Sequence, residues 1–531
     1  MRKFSSYGPL DIESNYFAPR DKLINDTYEN LTGDSRGGHY ITVWAPRQSG
    51  KTWTLQQVRN RINQQNKFDV AIISMGSGKT IDSEKDILEL FCERVAEFLN
   101  IKIQTDLDQW KQLRHVFTSR YFSKPVILIV DEFDAIDDRF INQFANEFRE
   151  MYISRQNETK PSHEKNCLLH GLALIGIRSV LGIENVKGSP FNIQRSTYIP
   201  NLTKDEVSEL YHWYEKEAQQ HIEPDVIDKV YAEFKGQPGL TCWFGEVLTE
   251  MYNAEPDKPI TMKQFNRAYI MATYALPNNN IINIISKAKV EPYKDMVFEL
   301  FKTNQKYEFF YDDVDLNYLY MNGVIDIEDQ IESEGCIYVR FASPFVQKRL
   351  FNYFSRSLFN QMGQLVEPFT SLENIITETD INIKNVIRLY EVYLKKNRQW
   401  LLSDAPRRKD LRIYEAVYHF NLYMFLHSFL HPKKAKVFPE FPTGNGKIDL
   451  IIQFAGKTYG IELKSWSDES AYKQAISQAA LYAQQLKVDT IFLVFFVETI
   501  DKKNREKFEL NFHDSSTGLI VDIIFVMTGA I

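Results

Sequence analysis

Apolar residues change their spacing several times along the chain, and each change marks a predicted element. Short continuous apolar runs at 39–44, 69–75, 126–130 and 172–177 alternate with stretches such as 53–63 and 86–99, whose apolar residues recur every three or four positions. The runs read as strands buried on both faces, and the recurring spacing reads as amphipathic helices. This alternation, between about 38 and 200, predicts a parallel sheet with helices on both of its faces. From about 202 to 355 the helical spacing dominates. Thr203-Lys204-Asp205-Glu206 has the form of a capping box, and Val207, Leu210, Tyr211 and Tyr214 then fall on one helical face.

The end of this region reads as a winged helix, with helices near 293–302 and 313–322 and strands at 324–327 and 336–341 joined by an acidic turn. A helical stretch at 381–402 then leads past Pro406 and Arg407-Arg408-Lys409 into a region with its own strands. Its predicted order is helix 411–430, strands 447–454 and 457–465, helix 470–486 and strand 490–497, with a last strand at 518–527 closing the sheet. The expected fold class is therefore multidomain α/β.

Length and composition agree with several domains. At about 150 residues per domain, 531 residues predict three or four. A hydrophobic share of 44% supplies ordinary cores and excludes a disordered chain. Lys and Arg total 63 against 70 Asp and Glu, a net charge of −7, so any polyanion must be met by a local basic surface. Cys92, Cys167, Cys242 and Cys336 lie far apart with no CxxC pair, which fits buried thiols in a reducing compartment. Met1-Arg2-Lys3-Phe4 is followed by Tyr, Pro, Asp and Glu rather than the apolar stretch of a signal peptide, and the apolar runs at 491–497 and 521–527 are too short to span a bilayer. A cytoplasmic location without membrane contact is expected.

Phosphate chemistry enters at Ala45-Pro46-Arg47-Gln48-Ser49-Gly50-Lys51-Thr52, which follows one apolar strand and opens a helix. In that context backbone N–H groups of Arg47, Gln48, Ser49 and Gly50 would cradle phosphates, Lys51 would reach the β and γ groups, and the Thr52 hydroxyl would join the Mg²⁺ shell. Ala45 stands where the first glycine of the usual pattern would be, so the turn must be made otherwise. Gly76-Ser77-Gly78-Lys79-Thr80 competes for the role, its bland reading being a solvated loop. The later strand at 125–129 ends in Val130-Asp131-Glu132, where Asp131 could hold Mg²⁺ through water and Glu132 could polarise the attacking water. A strand and a helix stand between loop and acidic strand if Lys51 is the phosphate lysine, which favours the first site. Arg178, after the run at 172–177, could sense a γ-phosphate from the sheet's carboxyl edge or be an ordinary surface arginine.

On these residues the first part of the chain, roughly 15–355, resembles the AAA-like, STAND-related P-loop ATPases, with Ala45–Thr52 as Walker A and Val130-Asp131-Glu132 as Walker B. Arg178 sits where that family has its sensor arginine, and the resemblance extends to Ser189-Pro190-Phe191-Asn192, Gly236-Gln237-Pro238 and Phe341-Ala342-Ser343-Pro344-Phe345. It implies ATP and Mg²⁺ as cofactors, ATP-driven switching, and assembly of like chains into a homo-oligomer on ATP binding. In that family the winged helix more often packs against the ATPase. The expected divisions are an ATPase core at 15–200, a helical lid at 201–280, a winged helix at 281–357, a helical linker at 358–402 and a last domain at 403–531.

A second constellation lies in that last domain. Asp449 precedes a turn at Ala455-Gly456, and Glu462-Leu463-Lys464 follows on the next strand, where period two puts Glu462 and Lys464 on one face. Paired carboxylates suit a hard divalent cation, and the lysine can orient hydroxide or offset charge on a phosphodiester in its transition state. A cross-strand ion pair on an exposed hairpin is the bland reading, but Ile461, Leu463 and Leu450-Ile451-Ile452 surround these charges with residues that favour burial. Gln478 and Tyr482 are i and i+4 on a helix, and Glu415 interrupts an apolar helix between Tyr414 and Ala416.

This arrangement, over roughly 385–531, is similar to the RecB-like branch of the PD-(D/E)XK nuclease superfamily. The resemblance implies a restriction-endonuclease-like α/β domain in which Asp449 is the first acid, Glu462-Leu463-Lys464 the (D/E)-x-K, Glu415 the first-helix glutamate and Gln478 with Tyr482 the supporting QxxxY pair. It also implies Mg²⁺, or Mn²⁺, at Asp449, Glu462 and Glu415, with Lys464 in the catalytic set. Gly446-Lys447-Ile448 stands where a proline would precede the aspartate. Between 401 and 440 the bases Arg407, Arg408, Lys409, Arg412, Lys433, Lys434 and Lys436 outnumber Asp404, Asp410, Glu415 and Glu440 seven to four, a plausible phosphate-tracking surface or a solvated linker face. The winged helix carries Asp313 and Asp315 on its second helix, which argues against groove reading. Two functions follow: an ATP-regulated nuclease acting on DNA, or a nucleotide-dependent switch or scaffold whose last domain binds nucleic acid or a partner without cutting.

Overall fold

The computed structural model describes residues 1–8, 10–103, 107–176, 195–301, 307–328, 336–366, 372–410, 412–439, 449–515 and 517–529. The chain divides into two compact units, 1–276 with 320–323, and 277–319 with 324–531. In the first, α1 (Asp21–Thr32), β1 (Tyr40–Trp44), α2 (Lys51–Asn63), β2 (Asp69–Ser74), α3 (Glu84–Leu99), β3 (Val126–Asp131), α4 (Asp138–Asn157), β4 (Leu169–Gly176) and β5 (Arg195–Tyr198) follow in order. The five strands form a parallel sheet in the order β2-β3-β4-β1-β5.

Successive residues of β3 feed opposite faces of this sheet. Leu128 and Val130 join Phe91, Phe144 and Phe148 on one face, while Ile127 and Ile129 join Trp53, Leu55 and Val58 on the other. Burial on both faces explains why β1, β3 and β4 are near-continuous apolar runs. Arg-Ser-Thr-Tyr in β5 has no such run, because β5 is an exposed edge strand held partly by the Trp44 indole donating to Ser196 Oγ at 2.9 Å. The strand read at 172–177 extends back to Leu169, and residue 177 lies outside the described residues.

The segment expected to be the lid holds α5 (Lys204–Ala218), α6 (Pro224–Phe234), α7 (Pro238–Glu246) and α8 (Met262–Tyr274). Its first helix begins on the expected capping box: Glu206 N donates to Thr203 Oγ1 at 3.1 Å and Thr203 N to Glu206 Oε2 at 2.8 Å. Val207, Leu210, Tyr211 and Tyr214 are the buried face of α5.

The second unit contains α9 (Asn279–Ala288), α10 (Tyr293–Leu300), all but the last two residues of α11 (Val314–Met321), β6 (Ile325–Ile327), β7 (Val339–Phe341), α12 (Pro344–Leu358), α13 (Ile383–Leu401), α14 (Glu415–Leu430), β8 (Lys436–Pro439), β9 (Leu450–Phe454), β10 (Lys457–Ser465), α15 (Glu469–Leu486), β11 (Thr490–Val497), α16 (Lys502–Phe508), β12 (Asn511–His513) and β13 (Ile520–Met527). β6 and β7 pair as the antiparallel wing; the acidic turn read between them falls largely outside the described residues. Helix α14 is buried almost all round and has no polar stripe. Phe298, Phe301, Phe351 and Phe354 of the winged-helix segment gather around its Phe420 with ring centroids 4.9–6.2 Å apart. Tyr390 and Tyr393 of α13 pack in tilted ring contacts against its Phe425. Within this unit the segment expected to be a winged helix therefore packs on α14, a placement the family expectation of docking on the ATPase did not include.

The C-terminal sheet is mixed, in the order β12-β13-β11-β10-β9-β8. β10, β11 and β13 run parallel, while β8, β9 and β12 pair antiparallel with their neighbours. The last strand was expected to close the sheet, but it lies inside, between β11 and β12. The two edges, Lys-Val-Phe-Pro and Asn-Phe-His, are too short and too polar to stand out as apolar runs. Among the described residues no helix is long and apolar enough to cross a membrane.

Candidate functional site

The carboxyl edge of the parallel sheet brings the loop 45–50, Asp131 and Glu132 together. The backbone turns left-handed at Gln48 (φ 56°) and Gly50 (φ 82°), so the turn does not need a glycine at Ala45. A Cβ built on Gly50 would meet nothing within 4 Å, which leaves open space over the loop. Lys51 Nζ donates to Ala45 O and Pro46 O, both at 2.7 Å, and Ser49 Oγ donates to Pro46 O at 2.6 Å. Burial pulls the Lys51 pKa down to about 8, against the pull of Asp131 and Asp134. An ammonium satisfied by its own loop's carbonyls, beside open space at a helix N-terminus, fits an anionic phosphate.

Thr52 Oγ1 donates to Asp131 Oδ2 at 2.6 Å, which pairs the hydroxyl and carboxylate expected to hold Mg²⁺. Glu132 adopts φ 54°, and its Oε2 accepts from Ser74 Oγ at 2.6 Å. A Cβ on Gly76 would come within 2.3 Å of the same oxygen, so the loop after β2 packs directly against this carboxylate. Ser74 was not singled out from the sequence; its signal is its place at the end of the strand next to β3. The second Gly-rich fragment, Gly76–Thr80, is a short 3₁₀ turn whose Gly78 is wedged among Ile136, Ile87 and Leu90. Between β1 and β3 stand β2 and α3, as the choice of Lys51 required. Arg178 and Ser189-Pro190-Phe191-Asn192 lie outside the described residues.

The Gly236-Gln237-Pro238 turn of the helical segment that follows the sheet touches the loop. Gln237 Nε2 donates to Arg47 O at 3.0 Å, and Gly239 N donates to Gln48 O at 2.9 Å. A Cβ on Gly239 would fall 2.5 Å from Gln48 Cβ and 3.1 Å from its carbonyl oxygen. Gly239→Ala is therefore expected to force loop and helical segment apart at a cost of about 1–3 kcal/mol, read as a lower melting temperature; an unchanged melt would show that the turn yields freely.

In the second unit, the β9–β10 register pairs Ile461 with Leu450, and the adjoining Asp449 accepts from Leu463 N through Oδ2 at 2.7 Å. Glu462 Oε1 lies 2.5 Å from Lys464 Nζ. Asp449, Glu462 and Lys464 are 4%, 0% and 1% exposed. Burial works against the Lys464 charge, but Glu462 and Asp449 outweigh it and raise the lysine above its ordinary value. A fully buried ion pair is seldom a net source of stability, so its presence needs another reason.

Glu415 begins α14, and its Oε1 is 3.5 Å from His419 Nε2, one turn on. His419 is buried; desolvation first, then the Lys464 ammonium, lower its pKa to about 3, which leaves a neutral ring within electrostatic reach of the lysine. Sequence reasoning missed His419, although its i+4 spacing from Glu415 on an apolar helix was the available signal. Tyr482 is buried and its hydroxyl acts on Lys464, whereas Gln478 is exposed, so their shared helical spacing does not give them a shared environment. The oxygen donors suit a hard divalent cation in kind. Among the described residues, however, no three His, Cys, Asp or Glu side chains stand close enough to share an ion; Lys464 neutralises Glu462 instead.

A search among curated proteins found no match. Among solved structures, a Walker-type ATPase of Pyrococcus abyssi is 13% identical, with a TM-score of 0.41 over 65% of this chain and 99% of that one. Cdc6p of Pyrobaculum aerophilum is 13% identical, with a TM-score of 0.38 over 66% and 98%. A chain of the Drosophila ORC bound to DNA is 12% identical, with a TM-score of 0.34 over 61% and 84%. The profile of the AAA-like domain family matches residues 5–250. With the parallel sheet, the Lys51 loop and the Asp131-Glu132 strand end, residues 5–250 are an AAA-like P-loop ATPase domain, which implies ATP and Mg²⁺.

Proposed function

We propose that the chain is an ATP-regulated, metal-dependent nuclease that hydrolyses phosphodiester bonds in DNA. In the ATPase domain Lys51 and the 47–50 backbone would hold phosphates, Thr52 and Asp131 would hold Mg²⁺, and Glu132 would orient the water. At the C-terminal site Asp449 and Glu462 would be the carboxylates offered to Mg²⁺ or Mn²⁺, which when bound supplies a Lewis acid and an acidified water; Glu415 is not grouped with them among the described residues. Lys464 would stay protonated and offset charge on the scissile phosphate. The observation that carries the nuclease reading is the fully buried Glu462–Lys464 pair beside Asp449. Burying these three groups together costs stability, and phosphodiester chemistry accounts for that cost. The test is cleavage of single-stranded DNA, duplex DNA and RNA with Mg²⁺ or Mn²⁺, with and without ATP.

The second reading, a nucleotide-dependent switch or scaffold that binds without cutting, is favoured by one observation: Lys464, rather than an open carboxylate cluster, neutralises Glu462 among the described residues. It predicts retention of DNA with no product under every metal and nucleotide condition. ATP-dependent assembly of like chains would support the regulatory part of either reading, and is measured by light scattering with and without ATP.

A further inference from the structure

The basic run ahead of the C-terminal sheet already has acidic neighbours. Arg408 Nε lies 3.3 Å from Glu299 Oε1 on α10, and the other oxygen of that carboxylate accepts from the Tyr307 hydroxyl at 2.8 Å. Lys409 acts electrostatically on Asp315 of α11, and the Tyr414 hydroxyl hydrogen-bonds Asp295 of α10. Phe298 packs on Tyr414 and on Phe420 of α14, with ring centroids 5.6 and 5.9 Å apart, which fixes α10 against the start of the helix that carries Glu415. All of these residues belong to the second unit.

The winged-helix stretch 293–320 contains Asp295, Glu299, Glu308, Asp312, Asp313 and Asp315 against Lys294, Lys302 and Lys306. Helices α10 and α11 and the loop between them carry these six acids against three bases, which repels a nucleic-acid backbone, and Glu299 of α10 meets Arg408 ahead of the helix that carries Glu415. We propose that the acidic residues of α10 and α11 are the resident occupants of a polyanion-binding strip, so that a DNA backbone must displace Glu299 from Arg408, and overcome the field of Asp315 near Lys409, to reach Asp449, Glu462 and Lys464. The proposal rests on the nucleic-acid reading above and adds its regulation: whatever shifts the winged helix changes access to the strip. Arg408 is partly exposed and Glu299 largely covered. Such pairs are weak enough to be exchanged for phosphates and strong enough to compete with them.

The experiment uses the full chain and a fluorescein-labelled DNA duplex without divalent metal, with binding read by anisotropy over a salt series. The Glu299→Gln, Asp315→Asn double variant is expected to bind about two- to fivefold tighter with a steeper salt dependence, because freed bases release more counterions. Glu308→Gln with Asp312→Asn makes the same charge change at exposed acids of the same module and is expected to leave affinity near wild type. Adding Arg408→Ala to the first pair is expected to remove much of the gain. Equal gains in both double variants, or no gain in the first while wild type binds DNA, would overturn the masking contact and leave the nuclease reading standing. No binding by any variant, even at low salt, would overturn the DNA reading and the masking proposal with it.

Discussion

Replacing Lys51 by alanine is expected to lower ATP turnover about 100-fold or more, the usual scale for losing one positioned charge at a transferring phosphoryl group. The side chain has no other evident role: its Nζ binds Ala45 O and Pro46 O of its own loop, and those carbonyls can turn to water in the variant. Melting should therefore change little, and unaltered turnover would exclude this loop as the phosphate site. Glu132→Gln separates the steps, because it keeps an acceptor for Ser74 Oγ while removing the carboxylate charge. Tight ATP binding with slow turnover is expected. A pH dependence follows from the burial that pulls Lys51 down to about 8. Phosphate favours the protonated lysine, so affinity is full below that value and falls as pH rises through it, by at most about tenfold per pH unit for one linked proton. Flat affinity across about one pH unit either side of that value would show that Lys51 keeps its charge without nucleotide.

Asp449→Asn is expected to abolish phosphodiester cleavage, by about 100-fold or more, with little loss of fold. The amide oxygen can still accept from Leu463 N, which Asp449 now holds at 2.7 Å, so the strand pairing survives and the carboxylate charge is what disappears. Lys464→Met is a harsher probe. It strands Glu462 as an unpaired buried carboxylate and should cost about 3–5 kcal/mol. The Glu462→Gln, Lys464→Met pair removes both charges and should recover most of that stability, yet it should still not cut. Recovery of cleavage together with stability would mean that the pair serves the fold alone. Product from Asp449→Asn at the wild-type rate would remove the nuclease reading.

Most of the element order was legible because tertiary contacts and local pattern agree. β10 and β11 begin and end at the positions expected from the sequence, since strands buried on both faces must be apolar throughout. The Thr203 capping box acts entirely within its own turn. Where the pattern was silent, the element earns little burial: β5, β8 and β12 are short or polar edge strands, defined by the backbone pairing of a neighbour. Helical spacing misled for Gln478 and Tyr482, because a helix lying obliquely on a sheet can expose one of two stacked residues and bury the other.

The candidate sites divide in the same way. By itself the sequence determined the Lys51 loop, the Asp131-Glu132 strand end and the Asp449 and Glu462-x-Lys464 hairpin, because each depends on residues close in the chain whose geometry a strand, turn or helix start enforces. Only the tertiary structure decided that Ser74 holds Glu132, that Gly239 meets Gln48, that His419 pairs with Glu415 within electrostatic reach of Lys464, and that Arg408 meets Glu299. Those contacts join elements far apart in sequence. No local period records them, since they arise from sheet order and aromatic packing that bring distant charges within a few ångströms.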